Sequence, residues 1–239
     1  MALESKTYLL KAPFGELFLC LPEPLAIGLV ETHRGIELIQ HEVQANSCSI
    51  RADKTDGVYQ INRPRTEFQV QYSDLIDCLN ELLLQLIYEF MILLPDWELL
   101  HCSAAQSKSG KSIVAFGDKR AGKSVWSFQQ TLMGGKLLAD DLLAWDRVKS
   151  RFICFGVASR LRRPVDHAAF ETLPKEAFLP GERLSYVRHS YLNLAACGEQ
   201  FLPDRIVEID RQSHSPKPIS MLKILDRIQR SCIPRSLYC

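Results

Sequence analysis

One eight-residue run, Gly117–Ser124, constrains this chain more than any other feature of its sequence. It reads Gly-Asp-Lys-Arg-Ala-Gly-Lys-Ser and fits the pattern GxxxxGK[ST] without a mismatch. An apolar run, Ile113–Phe116, precedes it, and a segment of helical character, Lys123–Leu132, follows it. A chance match is the alternative, and the requirement for a strand before the pattern and a helix after it makes such a match rarer. We therefore predict a strand, a glycine-bearing loop and a helix within a mixed α/β fold.

The predicted loop has the composition of a phosphate-binding turn. Glycines let successive backbone N–H groups converge on phosphate oxygens, and the following helix adds the positive end of its dipole. Lys123 is expected against the β- and γ-phosphates of a nucleotide, and the Ser124 hydroxyl is expected to hold Mg²⁺. Lys119 and Arg120 are bulky for such a turn, and they are either solvated or in contact with phosphates or an acidic substrate. The predicted nucleotide-binding residues are Gly117, Asp118, Lys119, Arg120, Ala121, Gly122, Lys123 and Ser124.

An acidic pair, Asp140-Asp141, follows the short apolar run Leu137–Ala139. A strand at this run would deliver the pair to the carboxyl edge of a sheet, where open α/β sheets bind their ligands. Phosphoryl transfer needs a carboxylate that holds metal or accepts a proton, and this pair can supply both. Adjacent strand residues point in opposite directions, so the pattern allows only one of the two to face the site. The alternative is an Asp-Asp pair that simply begins a turn.

His101 is a further candidate, within the run Leu99-Leu100-His101-Cys102-Ser103-Ala104. We predict a strand over Glu98–Ala104, next to the strand that leads into the loop. A single histidine on a strand is more often a core or edge residue than a catalytic one, and both interpretations stay open at this point.

These strings together carry a family resemblance. LLHCSA, IVAFGDKRAGKS and GGKLLADDLLAW resemble the catalytic core of HPr kinase/phosphorylase and its kinase-like relatives over Leu99–Asp146. The resemblance implies a fold similar to the nucleotide-binding core of phosphoenolpyruvate carboxykinase, with ATP and Mg²⁺ as cofactors. It also implies that Asp141 accepts the proton of a serine hydroxyl, that Asp140 and Ser124 lie near Mg²⁺, and that His101 and Lys123 lie near the transferred phosphate.

One stretch departs from the pattern of that family. The bifunctional enzyme carries a Glu-Ile-Arg-Gly-type signature that supplies a further metal ligand, whereas Ser159–Arg163 contains no carboxylate here. The reverse phosphorylase activity and HPr as the acceptor therefore stay open. Arg160, Arg162 and Arg163 are candidate contacts to phosphate or to an acidic substrate, because a guanidinium pairs bidentately with such groups. An exposed basic strand is the alternative.

The pattern along the chain suggests three regions: a small β-rich N-terminal region over 1–72, a connecting helix over 73–97 and a nucleotide-binding region over 98–239. Ser73 is the expected N-cap of the helix. The helix at the C-terminal end is expected around Ile219–Ile228. The predicted strands of the rest of the chain are Glu16–Cys20, Leu25–Val30, Val58–Ile61, Phe68–Tyr72, Leu142–Trp145, Phe152–Phe155 and Arg205–Ile209.

Charge and composition exclude some partners. A net charge of +1 argues against a broad surface for nucleic acid or an anionic membrane, and the apolar run Leu82–Leu94 is shorter than the roughly 20 residues that span a bilayer. The eight cysteines show no zinc-binding spacing and are expected to be reduced, in a cytoplasmic protein.

We therefore expect an ATP- and Mg²⁺-dependent kinase that phosphorylates a hydroxyl, with serine as the expected acceptor, on a peptide, a small protein or a metabolite. The resemblance alone suggests peptide tailoring. A nucleotide-binding regulatory or assembly protein without turnover is the alternative, an ordinary P-loop ATPase or GTPase is a third, and homo-oligomer formation stays open.

Overall fold

The computed structural model describes residues 4–64, 66–162, 171–210, 216–219 and 227–237. Within them the fold is mixed α/β and rich in strands. The helices are α1 (Glu23–Thr32), α2 (Leu75–Leu93) and α3 (Lys123–Leu132). The strands of the first half are β1 (Ser5–Ala12), β2 (Gly15–Pro22), β3 (Glu37–Gln40), β4 (Ile50–Thr55), β5 (Val58–Asn62), β6 (Gln69–Tyr72), β7 (Trp97–His101), β8 (Ser103–Gln106) and β9 (Ser112–Phe116). Those of the second half are β10 (Lys136–Ala139), β11 (Leu142–Asp146), β12 (Arg151–Ile153), β13 (Arg160–Arg162), β14 (Phe178–Pro180), β15 (Leu184–Val187), β16 (Gln200–Phe201), β17 (Arg205–Ile209) and β18 (Pro216–Pro218).

The N-terminal sheet has six strands in the order β3-β1-β2-β4-β5-β6, and its neighbours are antiparallel except for β2 and β4. The strands predicted at Glu16–Cys20, Val58–Ile61 and Phe68–Tyr72 are present as β2, β5 and β6. The strand predicted over Leu25–Val30 is wrong, because this segment belongs to α1. Pro24 lies in the first turn of α1, and Leu25 and Leu29 are buried one helical turn apart while Ile27 and Val30 are exposed.

Helix α2 lies between the N-terminal sheet and the rest of the chain. Its N-cap is Asp74 rather than Ser73, because the Asp74 carboxylate accepts hydrogen bonds from the backbone N–H groups of Ile76 and Asp77, both at 2.9 Å. One side of α2 packs in the N-terminal core, for example through Leu79 and Leu82. A different set, Ile87, Tyr88 and Met91, packs with Trp97, Leu99, Ala144, Ile153 and Phe155.

The phosphate-loop segment belongs to a five-stranded sheet in the order β10-β8-β9-β17-β18. Strand β9 is parallel to β17, whereas β8 is antiparallel to both β9 and β10. Strands β9, β10 and β17 therefore run in the same direction and end at the same edge. The predicted boundaries of α3 agree with the structure, and the predicted strand at Ile113–Phe116 begins one residue earlier, at Ser112.

A sheet of four strands, β16-β12-β11-β7, lies beside this five-stranded sheet. The prediction of a single strand over Glu98–Ala104 is wrong, because the chain passes from the four-stranded sheet to the five-stranded sheet at Cys102. Strand β7, which carries His101, pairs with β11, and only β8 runs next to β9. The backbone N–H of Cys102 donates to the carbonyl of Asp141 at 3.1 Å, which joins the crossover to the acidic pair.

The remaining elements complete the second half. Strands β13, β15 and β14 form a small antiparallel sheet. The predicted C-terminal helix falls largely outside the described residues, which show helical structure over 227–231. The cysteines of the described part of the chain are all free, and all except the half-buried Cys232 are buried. No described helix is long and apolar enough to cross a membrane.

Candidate active site

The turn between β9 and α3 is held in a tight conformation by its glycines. Gly122 has a φ of 100° and caps the N-terminus of α3, and Arg120 also has a positive φ, of 69°. At Gly117 a Cβ atom would lie 2.5 Å from the carbonyl oxygen of Ile209 at the end of β17. The loop therefore has no room for a side chain at its first position, and Gly122 allows the backbone to enter the helix directly.

Lys123 is the first residue of α3 and is buried against this turn, with 6% of its surface exposed. Its Nζ donates to the carbonyl oxygens of Gly117 at 2.9 Å and Asp118 at 3.1 Å. Burial lowers the pKa of Lys123 below its usual value, although the negative charge of Asp141 opposes the shift. The ammonium group is thus enclosed by the loop on one side and faces the acidic pair on the other. Lys119 and Arg120, in contrast, are exposed.

Three chain segments bring the predicted catalytic residues to one edge. Asp140 and Asp141 follow directly after β10, at the same edge at which β9 enters the loop, as their position in the sequence predicted. His101 ends β7 and pairs in register with Leu142, the first residue of β11. The loop, the acidic pair and the histidine therefore meet, although His101 reaches this point from the neighbouring sheet.

Asp140 is buried, with 4% of its surface exposed. Its Oδ2 accepts a hydrogen bond from the backbone N–H of Arg160 at 2.7 Å, and both this bond and the nearby Ser124 side chain favour the ionised carboxylate. Its Oδ1 accepts no hydrogen bond from any residue that the structure describes. Burial, and after it the charge of Asp141, raises the pKa of Asp140 to about 6. A buried carboxylate with one unbonded oxygen is costly unless something else binds that oxygen.

Asp141 is held from two sides. Its Oδ1 lies 2.9 Å from Nε2 of His101, and its Oδ2 accepts from the guanidinium of Arg160 at 2.8 Å. Because a carboxylate only accepts, the Nε2 atom of His101 carries the proton of this hydrogen bond. Burial opposes ionisation of Asp141, but the His101 hydrogen bond and the charge of Arg160 outweigh it and hold the pKa below its usual range. Both aspartates therefore face the site, and the expectation that only one would do so is wrong, because Asp140 and Asp141 lie between β10 and β11, where strand alternation does not apply.

The donor set fits magnesium. Among the described residues, no group of three or more His, Cys, Asp or Glu side chains is placed to hold a metal ion alone. Magnesium does not need such a group, since it commonly binds one or two protein oxygens and completes its shell with phosphates and water. The hydroxyl of Ser124 and the unbonded Oδ1 of Asp140 are oxygen donors of this kind.

The three arginines differ in their surroundings. Arg160 does not extend toward solvent, because its guanidinium bonds Asp141 and also the side chain of Asn80, at 2.6 Å. Arg162 is exposed on β13, and Arg163 lies outside the described residues. Sequence reasoning missed Asn80, and also Tyr186, whose hydroxyl bonds Asn80. Asn80 precedes Arg160 by 80 positions, and the local sequence gives no signal of the contact.

A cleft of about 530 Å³ opens beside the loop. His101, Gly117, Asp118 and Lys119 line one wall, and the C-terminal segment over 227–234 lines the other. Arg227 of this segment pairs with Glu208 and lies 3.9 Å from the exposed carboxylate of Asp118. The cleft therefore gives access from solvent to the residues around His101.

No protein-family model matches this chain, and no curated protein gives a significant match to it.

Proposed function

We propose that this protein is an ATP- and Mg²⁺-dependent kinase that transfers the γ-phosphate to a hydroxyl group, with serine on a peptide, a small protein or a metabolite as the expected acceptor. The observation that carries the proposal is the position of the Asp141 carboxylate. Its carboxylate lies between His101 and Arg160, at the sheet edge where the glycine-bearing loop begins. The resemblance of Leu99–Asp146 to HPr kinase/phosphorylase supports the same assignment and a core similar to that of phosphoenolpyruvate carboxykinase. A cytoplasmic location is part of the proposal and is supported by eight cysteines without zinc-binding spacing.

The loop and Lys123 would bind the nucleotide. Backbone N–H groups at the start of α3 present partial positive charge to phosphate oxygens, and the buried ammonium group adds a full charge. The Lys123 Nζ would exchange the carbonyls of Gly117 and Asp118 for phosphate oxygens, which are stronger acceptors because they are charged. Ser124 and Asp140 would hold Mg²⁺, which supplies positive charge against the phosphates.

Asp141 would accept the proton. The acceptor oxygen forms a bond to the γ-phosphorus as the bond from that phosphorus to the β–γ bridging oxygen breaks, and the hydroxyl proton passes to the Asp141 carboxylate. Its lowered pKa keeps this carboxylate ionised at neutral pH. A weak base suffices, because transition states of phosphoryl transfer are largely dissociative and depend on positioning and charge stabilisation. His101 would orient the carboxylate from the opposite side.

A specific observation also favours a second candidate, a nucleotide-binding regulatory or assembly protein without turnover. The segment that faces the acidic pair presents the backbone N–H and guanidinium of Arg160 to the two aspartates, and Ser159–Arg163 contains no carboxylate. A site with one fewer metal ligand can bind a nucleotide without transferring its phosphate.

Incubation of the protein with γ-labelled ATP, Mg²⁺, serine-containing peptide pools and hydroxyl metabolites separates these functions. We expect label on an acceptor from the wild-type protein, loss of transfer with retained nucleotide binding in Asp141→Asn, and loss of binding in Lys123→Ala. Asp146→Asn is the matched control, since Asp146 is a buried aspartate at the far end of β11. Binding without any transfer would favour the regulatory protein. Phosphate release that needs no acceptor would indicate an ATPase instead.

A further inference from the structure

The guanidinium of Arg160 is held at both of its terminal nitrogens. Nη2 donates to Oδ2 of Asp141 at 2.8 Å, and Nη1 donates to Oδ1 of Asn80 at 2.6 Å. The backbone N–H of the same residue donates to Asp140 at 2.7 Å. Arg160 therefore joins the acidic pair to helix α2, and the direction in which its guanidinium faces Asp141 depends on what holds the opposite nitrogen.

Asn80 is oriented by its two neighbours. The same Oδ1 atom accepts from Arg160 and from the hydroxyl of Tyr186, the latter at 3.0 Å. A guanidinium can only donate, so the side-chain atom of Asn80 that faces it is the oxygen and not the amide nitrogen. Tyr186 is buried, and burial raises the pKa of its hydroxyl, which therefore stays protonated and able to donate. Two donors on one oxygen leave the Asn80 amide a single favourable orientation.

The helix that carries Asn80 is itself anchored beside the site. One turn before Asn80, the carboxylate of Asp77 accepts from Arg183 at 2.7 Å. One turn earlier still, the Asp74 carboxylate accepts from the backbone N–H of Glu182 at 3.3 Å. Both partners lie between β14 and β15, and β15 carries Tyr186 and pairs with β13, which begins at Arg160. The N-cap and the first two turns of α2 thus form a support for Arg160, and the hydrogen bonds that build it involve no residue of the phosphate loop.

We propose that Asn80 is a positioning residue of the candidate site, which holds the Arg160 guanidinium against Asp141 and thereby fixes the orientation of the carboxylate. The catalytic part of this inference rests on the proposed kinase function, whereas the positional part does not. Without Asn80, Nη1 loses the oxygen to which it donates, and the guanidinium can rotate and leave Asp141 to His101. A misplacement of about 1 Å at a reacting group can cost roughly a hundredfold in rate.

The positional part can be measured without any enzyme assay. In protein with isotope-labelled arginine, the two terminal nitrogens of Arg160 should give separate NMR signals at low temperature, because different partners restrain them and slow the rotation of the guanidinium. Arg160→Lys assigns the signals. In Asn80→Ala the two signals should merge, whereas in Asn80→Asp, which keeps an acceptor oxygen for both donors, they should stay separate.

The catalytic part is tested by the kinetics of the same variants. Asn80→Ala should lower kcat by roughly 10- to 100-fold and leave KM for magnesium-ATP within about twofold of wild type, because Asn80 does not contact the loop. Asn80→Asp should restore most of kcat. The control Glu81→Gln changes a hydrogen-bonding side chain of the same helix whose partners are Tyr72 and Gln85, and it should leave the Arg160 signals, kcat and KM unchanged.

The outcomes separate the two proposals. Signals that stay separate in Asn80→Ala would overturn the positional role, and merged signals with an unchanged kcat would overturn the catalytic one. A parallel loss of kcat and nucleotide affinity would also count against positioning, because it indicates a general loss of structure. A wild-type protein without transfer activity but with separate signals would refute the kinase assignment and still support the link from Asn80 to Asp141.

Discussion

Two adjacent carboxylates in this site have opposite electrostatic surroundings. Asp140 is buried with one oxygen unbonded, and its pKa is raised to about 6, mainly by burial. Burial also disfavours ionisation of Asp141, but the hydrogen bond from His101 and the charge of Arg160 lower its pKa. Neighbouring titratable groups whose pKa values are shifted in opposite directions commonly have different chemical roles. Here the pattern suits Asp140, whose buried charge has one unbonded oxygen, to a cation that is still to bind, and it keeps Asp141 ionised at neutral pH.

Asp140→Asn should make the protein more stable while it weakens magnesium-dependent nucleotide binding. Because the folded protein binds a proton at Asp140 more tightly than the unfolded chain does, stability falls as pH rises from about 4 to about 6, and the full cost is present above pH 6. Removal of the charge should therefore add about 3 kcal/mol at pH 7.5, or roughly 6–12 °C in Tm, measured without Mg²⁺ and nucleotide. The gain should disappear near pH 4.

Asp146→Asn is the matched control for this prediction. Asp146 is as buried as Asp140, at 4% exposed, but its Oδ1 accepts from the backbone N–H groups of Val148 and Lys149, both at 2.9 Å. The substitution should therefore give no gain in stability. A lower Tm in Asp140→Asn at pH 7.5 would contradict the prediction and would show that the ionised carboxylate stabilises the fold by itself.

At the scale of elements, the sequence predicted the parts that depend on neighbouring residues. The strand before the loop, the loop and α3 are local, and the acidic pair lies at the expected edge because it follows a strand directly. The sequence predicts a strand over 25–30, where the structure has α1, because these residues suit a strand as well as a helix. The sequence contains no signal of the change of sheet at Cys102, because the residues before and after it are apolar and buried in both sheets. Asn80 was not predictable, because its role depends on partners far along the chain.

A substitution at Gly117 tests whether the loop depends on the close approach of its first residue to the end of β17. At φ 155° its added Cβ would lie 2.5 Å from the Ile209 carbonyl, so Gly117→Ala should push β9 away from β17 as well as strain the turn. Gly110→Ala is the control, because Gly110 has a φ of 85° and no atom of the described residues lies within 4 Å of its added Cβ. We expect a loss of about 1 kcal/mol for Gly110→Ala and a clearly larger loss, with weakened nucleotide binding, for Gly117→Ala. Equal losses in thermal unfolding would show that β17 yields to the new methyl group.

At the scale of the whole molecule, the N-terminal half interlocks with the half that carries the site. Helix α2 contributes buried side chains to both the N-terminal core and the cluster around Trp97. The ring of Phe14, at the turn between β1 and β2, lies edge-on to Trp97 at 5.1 Å and to Phe155 at 5.9 Å. The backbone N–H of Arg34 donates to the carbonyl of Gly156 at 2.8 Å. Apolar contacts of this extent make a single cooperative unit the expected result.

Tryptophan fluorescence can test this cooperativity, because the three tryptophans, Trp97, Trp126 and Trp145, all lie outside the N-terminal sheet. Ile61 is fully buried on β5, and Ile61→Ala should cost about 2–5 kcal/mol through lost packing and a residual cavity. If the halves unfold together, the fluorescence midpoint should fall by the same amount as the midpoint from circular dichroism. Val58→Ala, on the same strand but 38% exposed, should shift both midpoints little. An unchanged fluorescence midpoint in Ile61→Ala would show that the site half folds independently, with α2 acting only as a connecting helix.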